Sequence, residues 1–395
     1  MFTKAFIPYR GYFSSPFARW QGSLANVHSI PLAGATTRSF FADKGWDAGM
    51  IDYVNFGSTV AQPFSFHSGP WVAALIGAEN VPGVWISQAC STSTTAVYQA
   101  TMALEVGTAE TVFCLMADRC SNGPHSVWAN PNGPGGQVDS ENWVMDNFEG
   151  DPYAQTAMVA CAENVAREAG ITRQQCDEVA LRRYEQYQDG LANDRAFQKG
   201  YMRSVEVPAG KKKTLTVDAD EGIFPTSAEG LAGLKPVRPE GVHTYGAQTH
   251  PADGNSALLV TTRERARELA SGGPDIQVLG FGYARAKKAF MPAAPVPAAV
   301  MALAQAELSV HDMAAIKTHN PFAVNDVYMA NEMGLDVNSF NNYGSPLIYG
   351  HPQGPTAGRC IIELIEEVVL KGGGYGLFTG CAAGDTGAAL VIKVG

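Results

Sequence analysis

Residues Thr111-Val112-Phe113-Cys114-Leu115-Met116-Ala117 form a continuous apolar run, and a strand built of such residues has no face suited to water. It predicts the middle of a sheet covered by helices on both sides. The flanking pattern agrees. Residues 3–12 read as a strand, 32–44 as a helix and 50–56 as a second strand, and a helix, a strand, Cys90 and another helix precede the apolar run. This alternation predicts an α/β body. From residue 121 to about 150 it stops, replaced by Pro, Gly, Asn and Trp, including Asn130-Pro131-Asn132-Gly133-Pro134-Gly135-Gly136; such a long irregular stretch is usually a functional loop. Helical spacing resumes at 154–169, and Thr172 with Gln175 opens a helix with a capping-box pattern that runs to about residue 187. The insertion is polar and poor in strands. A second alternating segment follows, with strands near 256–261 and 276–283, a helix at 297–307, a strand at 315–318, a helix to 333, a helix at 356–370, and closing strands at 376–379 and 388–394. Element order repeats although the letters do not. The expected organisation is a first half over 1–120, an insertion over 121–247 that returns to the first half until about 265, and a topologically similar second half over 266–395.

With 395 residues, 46% hydrophobic and 17% charged, the chain can bury more than one compact core serves. Charged residues break every apolar run well short of a bilayer span, and the opening Met1-Phe2-Thr3-Lys4 lacks the basic segment and long apolar stretch of a secretory signal. A cytoplasmic protein without membrane contact is expected. Seven cysteines without CxxC pairs argue against a disulfide framework and against a structural zinc site. A net charge of −10, with Lys211-Lys212-Lys213 the one dense basic cluster, argues against nucleic-acid partners.

The chemistry centres on Ser87-Gln88-Ala89-Cys90-Ser91-Thr92. Val84 to Ile86 read as a buried strand end, whereas Ala96, Val97, Ala100, Ala103 and Leu104 recur at helical spacing, so Cys90 falls at a strand-to-helix turn. The positive end of that helix is expected to favour a thiolate; a small buried cysteine packing as a hydrophobe is the plain alternative. Three further features stand out: His319 in Thr318-His319-Asn320-Pro321-Phe322, His351 in Gly350-His351-Pro352, and Cys381 in Gly380-Cys381-Ala382-Ala383-Gly384. Singly, each also fits a capped core histidine or a buried hairpin cysteine.

Together and in order, these motifs resemble the thiolases, the acyl-CoA C-acyltransferases, and the resemblance covers nearly all of the chain. Met158-Val159-Ala160-Cys161-Ala162-Glu163, Thr226-Ser227-Ala228-Glu229-Gly230-Leu231 and Gly358-Arg359 extend it. It implies a five-layered αβαβα body with an inserted loop domain. Cys90 would be the acylated nucleophile, His351 its base and Cys381 the second acid and base, with backbone N–H groups of Cys90 and Ala383 at the acyl carbonyl. CoA is implied as co-substrate, with no permanently bound cofactor and no metal. Thr249 and Phe322 would meet the pantetheine, while Arg182, Arg183 or the lysine run would meet the nucleotide. Most of the family has Asn-Glu-Ala-Phe where this chain has His319-Asn320-Pro321-Phe322; a histidine there is similar to sterol-carrier-type relatives and would donate an N–H to a thioester oxyanion. Trp128, Trp143, Phe148 and Tyr153 would line a pocket for a bulky or aromatic acyl group, a benzoylsuccinyl-CoA type included. The resemblance also implies a homodimer or a tetramer of dimers, with a small zinc-ribbon and OB-fold companion subunit in some relatives. Two rivals stand beside this: a decarboxylating or synthase-type condensing enzyme of the same fold, which would not need Cys381, and a non-catalytic acyl-CoA-binding subunit.

Overall fold

The structure is a computed structural model that describes residues 1–210, 213–270 and 272–395; Lys211 and Lys212, considered above as nucleotide contacts, lie outside the described residues. The apolar run becomes the Thr111–Arg119 strand, buried over all but its last residue. It pairs in parallel with Tyr53–Gly57, which pairs in parallel with the edge strand Gly83–Ile86. On its other side Ala252–Thr261 runs antiparallel and is itself followed by Tyr12–Ser14. The second sheet has the order Ile276–Arg285, Thr386–Val394, Gly374–Ala382, Met313–His319, with only the last two strands parallel. Each half therefore carries a parallel pair followed by an antiparallel strand.

Two helices lie between the sheets, Thr92–Val106 and Gly354–Leu370. Their apolar side chains join those of both sheets in one core, with Ala96, Val97, Ile361 and Ile365 between Met116 and Leu258 of one sheet and Phe378 and Leu390 of the other. Gly354–Leu370 is buried from Gly354 to Val368; its apolar side joins that core, while on its other side Arg359 and Glu363 pair at 2.9 Å and Glu366 accepts from the Tyr12 hydroxyl at 2.8 Å. Ser29–Lys44 and Ser68–Leu75 cover the outer face of the first sheet, while Pro295–Ala306 and Ala323–Met333 cover that of the second. The result is the five-layered αβαβα body.

Three details differ from the sequence expectations. Residues 3–12 are not a continuous strand: Pro8 has no N–H to give a ladder, Arg10 has a φ of 58°, and Phe6 bridges Thr261 and Gln277 from opposite sides. The stretch after residue 121 contains the hairpin His125–Ala129 with Val138–Asn142. Its residues are mostly exposed on both faces, so the apolar alternation that betrays a strand is missing. A second hairpin, Val205–Pro208 with Thr214–Val217, makes the insertion less poor in strands than expected, and the exposed Lys213 adjoins it. Among the described residues, no helix is long and apolar enough to cross a membrane.

Candidate active site

The Gly83–Ile86 strand delivers the chain to Ala89, which holds a positive φ of 45°. A residue with a side chain adopts that conformation only when its surroundings enforce it. Here Thr92 enforces it: its hydroxyl donates to Ala89 O at 2.7 Å and accepts from the Gln88 N–H at 2.8 Å. The turn leaves Cys90 immediately before the Thr92–Val106 helix, 5% exposed.

Cys90 Sγ lies 3.1 Å from His351 Nε2, and its thiol is 3.4 Å from Gln353 Oε1, an acceptor. The His351 ring is held from behind, Nδ1 lying 2.6 Å from Thr356 Oγ1. Two backbone positions aim this segment. Gly350 has a φ of 92° and sits where a Cβ would fall 2.6 Å from the His250 ring, and Gln353 has a φ of 59°. The buried Asp118 carboxylate ties the segment to the first half. It accepts from the Gly354 N–H at 2.9 Å and from Ser58 Oγ and the Val60 N–H at 2.8 and 2.9 Å. Ser93 Oγ, one turn beyond the nucleophile, donates to Gly354 O.

From the second sheet come His319, the last residue of Met313–His319, and Cys381, near the end of Gly374–Ala382. Parallel register sets His319 opposite Gly380, so the imidazole reaches the next residue: His319 Nδ1 lies 3.0 Å from Cys381 O and 3.9 Å from Cys381 Sγ. The two imidazole rings are 4.3 Å apart between centroids. A ring nitrogen of each and Cys90 Sγ lie within 4.8 Å of one another. Two thiols and two imidazoles thus meet between the halves.

Electrostatics corrects two expectations. The helix end does not win at Cys90: burial pushes the thiol up to about 12 although the backbone N–H groups of Ala383 and Cys90 itself pull it down. Burial, and then His319, hold His351 well below its ordinary value. At rest the pair is neutral thiol and neutral imidazole. The second correction concerns His319 as a direct oxyanion donor. Because a carbonyl can only accept, Nδ1 carries the proton, and burial lowers the ring to about 4. The neutral ring therefore presents a lone pair at Nε2, which is buried without a partner; it becomes a donor only when protonated.

One residue absent from the sequence reading belongs here. Asn325 Oδ1 accepts from the Phe322 N–H at 3.2 Å, which fixes the amide so that Nδ2 donates to Cys381 Sγ at 3.3 Å. That contact lowers the Cys381 thiol, while burial and the neighbouring Cys90 raise it more. Asn325 lies in the first turn of Ala323–Met333, where an asparagine reads as a cap.

Cys90 stands between two cavities. One, of 300 Å³, is lined by Cys90, His351, Thr249 and Phe322, and it shares Tyr245, Gln248 and Thr249 with a neighbouring groove of 440 Å³. The Thr249 hydroxyl donates to Pro346 O at 2.6 Å. The other cavity, of 510 Å³, is bounded by Ala89, Gln353 and Ala383 and walled by Trp143, Phe148, Tyr153, Met158 and Met291. Trp128 is outside it, 56% exposed with its indole N–H on Glu141. The expectation for Arg183 is overturned: its side chain and that of its partner Asp326 are both 0% exposed, 2.8 Å apart, and its other nitrogens donate to Gln186 Oε1 and Val337 O. It cannot reach a ligand. Arg182 pairs with Glu185 on the same helix and lines neither cavity at Cys90.

A layered αβαβα body with thiols and imidazoles gathered between its halves is the architecture of an acyltransferase. The chain matches the models of the thiolase N-terminal domain over residues 13–264 and the thiolase C-terminal domain over 274–394. It is 28% identical over 385 residues to the beta-ketothiolase BktB of Cupriavidus necator, covering 94% of this chain and 95% of that one. It is 29% identical over 394 residues to the beta-ketoadipyl-CoA thiolase of Pseudomonas knackmussii, with 96% of each covered. The solved acetyl-CoA acetyltransferase of Bacillus anthracis superposes with a TM-score of 0.91 at 26% identity, covering 100% of this chain and 99% of that one. The chain belongs to the thiolase family, and the enzyme is of the acetyl-CoA C-acyltransferase type.

Proposed function

We propose that the chain cleaves a 3-oxoacyl-CoA with CoA, or runs the reverse Claisen condensation, through an acyl-enzyme on Cys90. The observation that carries this is the 3.1 Å contact between Cys90 Sγ and His351 Nε2 with Cys381 at the same site. His351 takes the thiol proton as Cys90 attacks the 3-oxo carbon. Burial keeps the pair neutral until then, so charge forms only where donors await it. The N–H groups of Cys90 and Ala383 face the sulfur, which supports them as the donors for the acyl oxyanion; one such donor is worth roughly 3 to 4 kcal/mol. The C2–C3 bond breaks, and the enolate takes its proton from the Cys381 thiol while His351, now carrying a proton on Nε2, donates to its oxygen. The Cys381 thiolate, steadied by Asn325, then removes the proton of incoming CoA, whose sulfur takes the acyl group, and Cys90 leaves as a thiolate that recovers its proton from His351.

The path through Thr249 and Phe322 suits the pantetheine arm, and the 510 Å³ cavity suits an acyl group larger than acetoacetyl. Trp143, Phe148 and Tyr153 favour a branched or aromatic one, with the benzoylsuccinyl type as the largest candidate. The free edge of Gly83–Ile86, with Trp85 39% exposed, is the kind of strand a second copy covers in a homodimer. The synthase and non-catalytic alternatives are disfavoured by Cys381 and by the Cys90–His351 contact respectively.

The test is thiolysis of a panel of 3-oxoacyl-CoAs, with mass spectrometry of the protein during turnover. Wild type should carry one acyl adduct on Cys90, Cys90→Ser should be inactive, and Cys381→Ala, which lacks the acid for the enolate, should still be acylated by a simple acyl-CoA but should not turn over a 3-oxoacyl-CoA. Thiolysis by Cys90→Ser at the wild-type rate would reject the assignment.

A further inference from the structure

His319 adds a capacity that an amide at its position would not give. Three soft or borderline ligand atoms now face one another: Cys90 Sγ and a ring nitrogen each of His319 and His351, all within 4.8 Å. The hydrogen bonds behind the rings have the pattern of metal-binding histidines, in which the nitrogen turned away from the metal donates to an oxygen and fixes the tautomer. His319 Nδ1 lies 3.0 Å from Cys381 O, and His351 Nδ1 lies 2.6 Å from Thr356 Oγ1. With Nδ1 donating to the Cys381 carbonyl, His319 Nε2 keeps a free lone pair, and a proton on His351 Nδ1 toward Thr356 leaves His351 Nε2 free as well. His351 Nε2 meets the Cys90 sulfur at 3.1 Å, and His319 Nε2, in a side chain 1% exposed, has no partner at all. An unpartnered acceptor buried this deeply beside a thiol is an invitation to a cation.

We propose that Cys90, His319 and His351 form a binding site for zinc or a similar thiophilic divalent cation, and that the cation reversibly blocks the nucleophile. Tetrahedral zinc with Zn–S near 2.3 Å and Zn–N near 2.0 Å places its ligands about 3.5 Å apart, so the 3.1 Å Cys90–His351 pair must open by about 0.4 Å and the pairs with His319, within 4.8 Å, close by at most about 1.3 Å. Three protein ligands leave a fourth position for water or an incoming thiol, facing the 300 Å³ cavity. Binding exchanges one proton for the metal: the Cys90 thiol becomes a zinc thiolate and releases its hydrogen ion to solvent. A sulfur so held cannot attack a thioester. Loss of activity on adding zinc, restored by a chelator, follows.

The test is binding itself, so it stands apart from the thiolysis reading. Zinc chloride titrated into the full-length protein and followed by calorimetry should show one site per chain, with about one proton released, read from the dependence of heat on buffer. Cobalt(II) should give the sulfur-to-metal charge-transfer band of a thiolate ligand. His319→Asn should weaken zinc by about 100-fold or more, and Thr356→Val, which removes only the support behind His351, by about 10-fold. In wild type, zinc should shield Cys90 from iodoacetamide, read on the Cys90 peptide, a measurement that needs no variant to fold. The proposal is overturned if no saturable site appears, if folded His319→Asn binds as wild type does, or if Cys90 alkylates equally fast with and without zinc.

Discussion

Replacing Arg183 by methionine separates the structural role of this residue from the ligand contact expected of it. The side chain donates three hydrogen bonds from a fully buried position, and its guanidinium lies 4.8 Å from the Phe340 ring. Methionine fills similar space but leaves Asp326 charged and buried, with Asn320 Nδ2, Asn341 Nδ2 and Thr318 Oγ1 as its remaining donors. Breaking such a pair costs about 3–5 kcal/mol, most of it the penalty of the orphaned charge. Three neutral donors relieve part of that, so about 3 to 4 kcal/mol of destabilisation is expected, read as a shift in the chemical denaturation midpoint. Asp326→Asn in the Arg183→Met background removes the charge and keeps an acceptor for the asparagines, so it should recover about half of the loss. In the folded fraction, KM for CoA should stay at the wild-type value. An unchanged midpoint together with a raised KM for CoA would refute the reasoning and return Arg183 to the ligand.

The other predictions concern the site. His319 titrates near 6.5 when unfolded and is lowered to about 4 in the fold, so the unfolded chain binds more protons between those values. Its contribution to stability is whole above pH 6.5 and is lost as the pH falls toward 4, about 3 kcal/mol in all; denaturation midpoints of His319→Asn should be flatter over that window by this amount, and an equal slope would count against a neutral buried ring. Asn325→Leu removes the donor to Cys381, so thiolysis should slow by about 10- to 100-fold and its pH profile move to higher pH, with the first acylation burst intact; a lost burst would make Asn325 merely structural. Phe148 lines both cavities, and Phe148→Ala should raise kcat/KM for bulky relative to linear acyl-CoAs on the order of ten-fold; an unaltered ratio would place the acyl group elsewhere.

Much of the architecture was legible because the signals were strong and local. The apolar run at Thr111 to Ala117 demanded helices on both faces, and Cys90, His351 and Cys381 each sit among small residues at the end of an element. What could not be read needs the third dimension. The spacing of Cys176, Val179 and Ala180 puts Arg183 and Tyr187 on the buried face of the Arg173–Gly190 helix, but the buried carboxylate of Asp326 that holds Arg183 there lies 143 positions away in the chain. The tautomer of His319 depends on a carbonyl 62 positions away in the chain. Burial against the helix end at Cys90 is a contest between magnitudes, and sequence supplies only one side of it.

The Gly354–Leu370 helix, encased from Gly354 to Val368, has a bearing on how such an enzyme can diversify. Its wrapping comes from both sheets, so severing one half would bare its apolar side and leave the Arg359–Glu363 pair without cover. Novelty in substrate must then enter through the segments that wander out and back between the strands Thr111–Arg119 and Ala252–Thr261, where lengthening or rewording a loop leaves the sealed interior untouched.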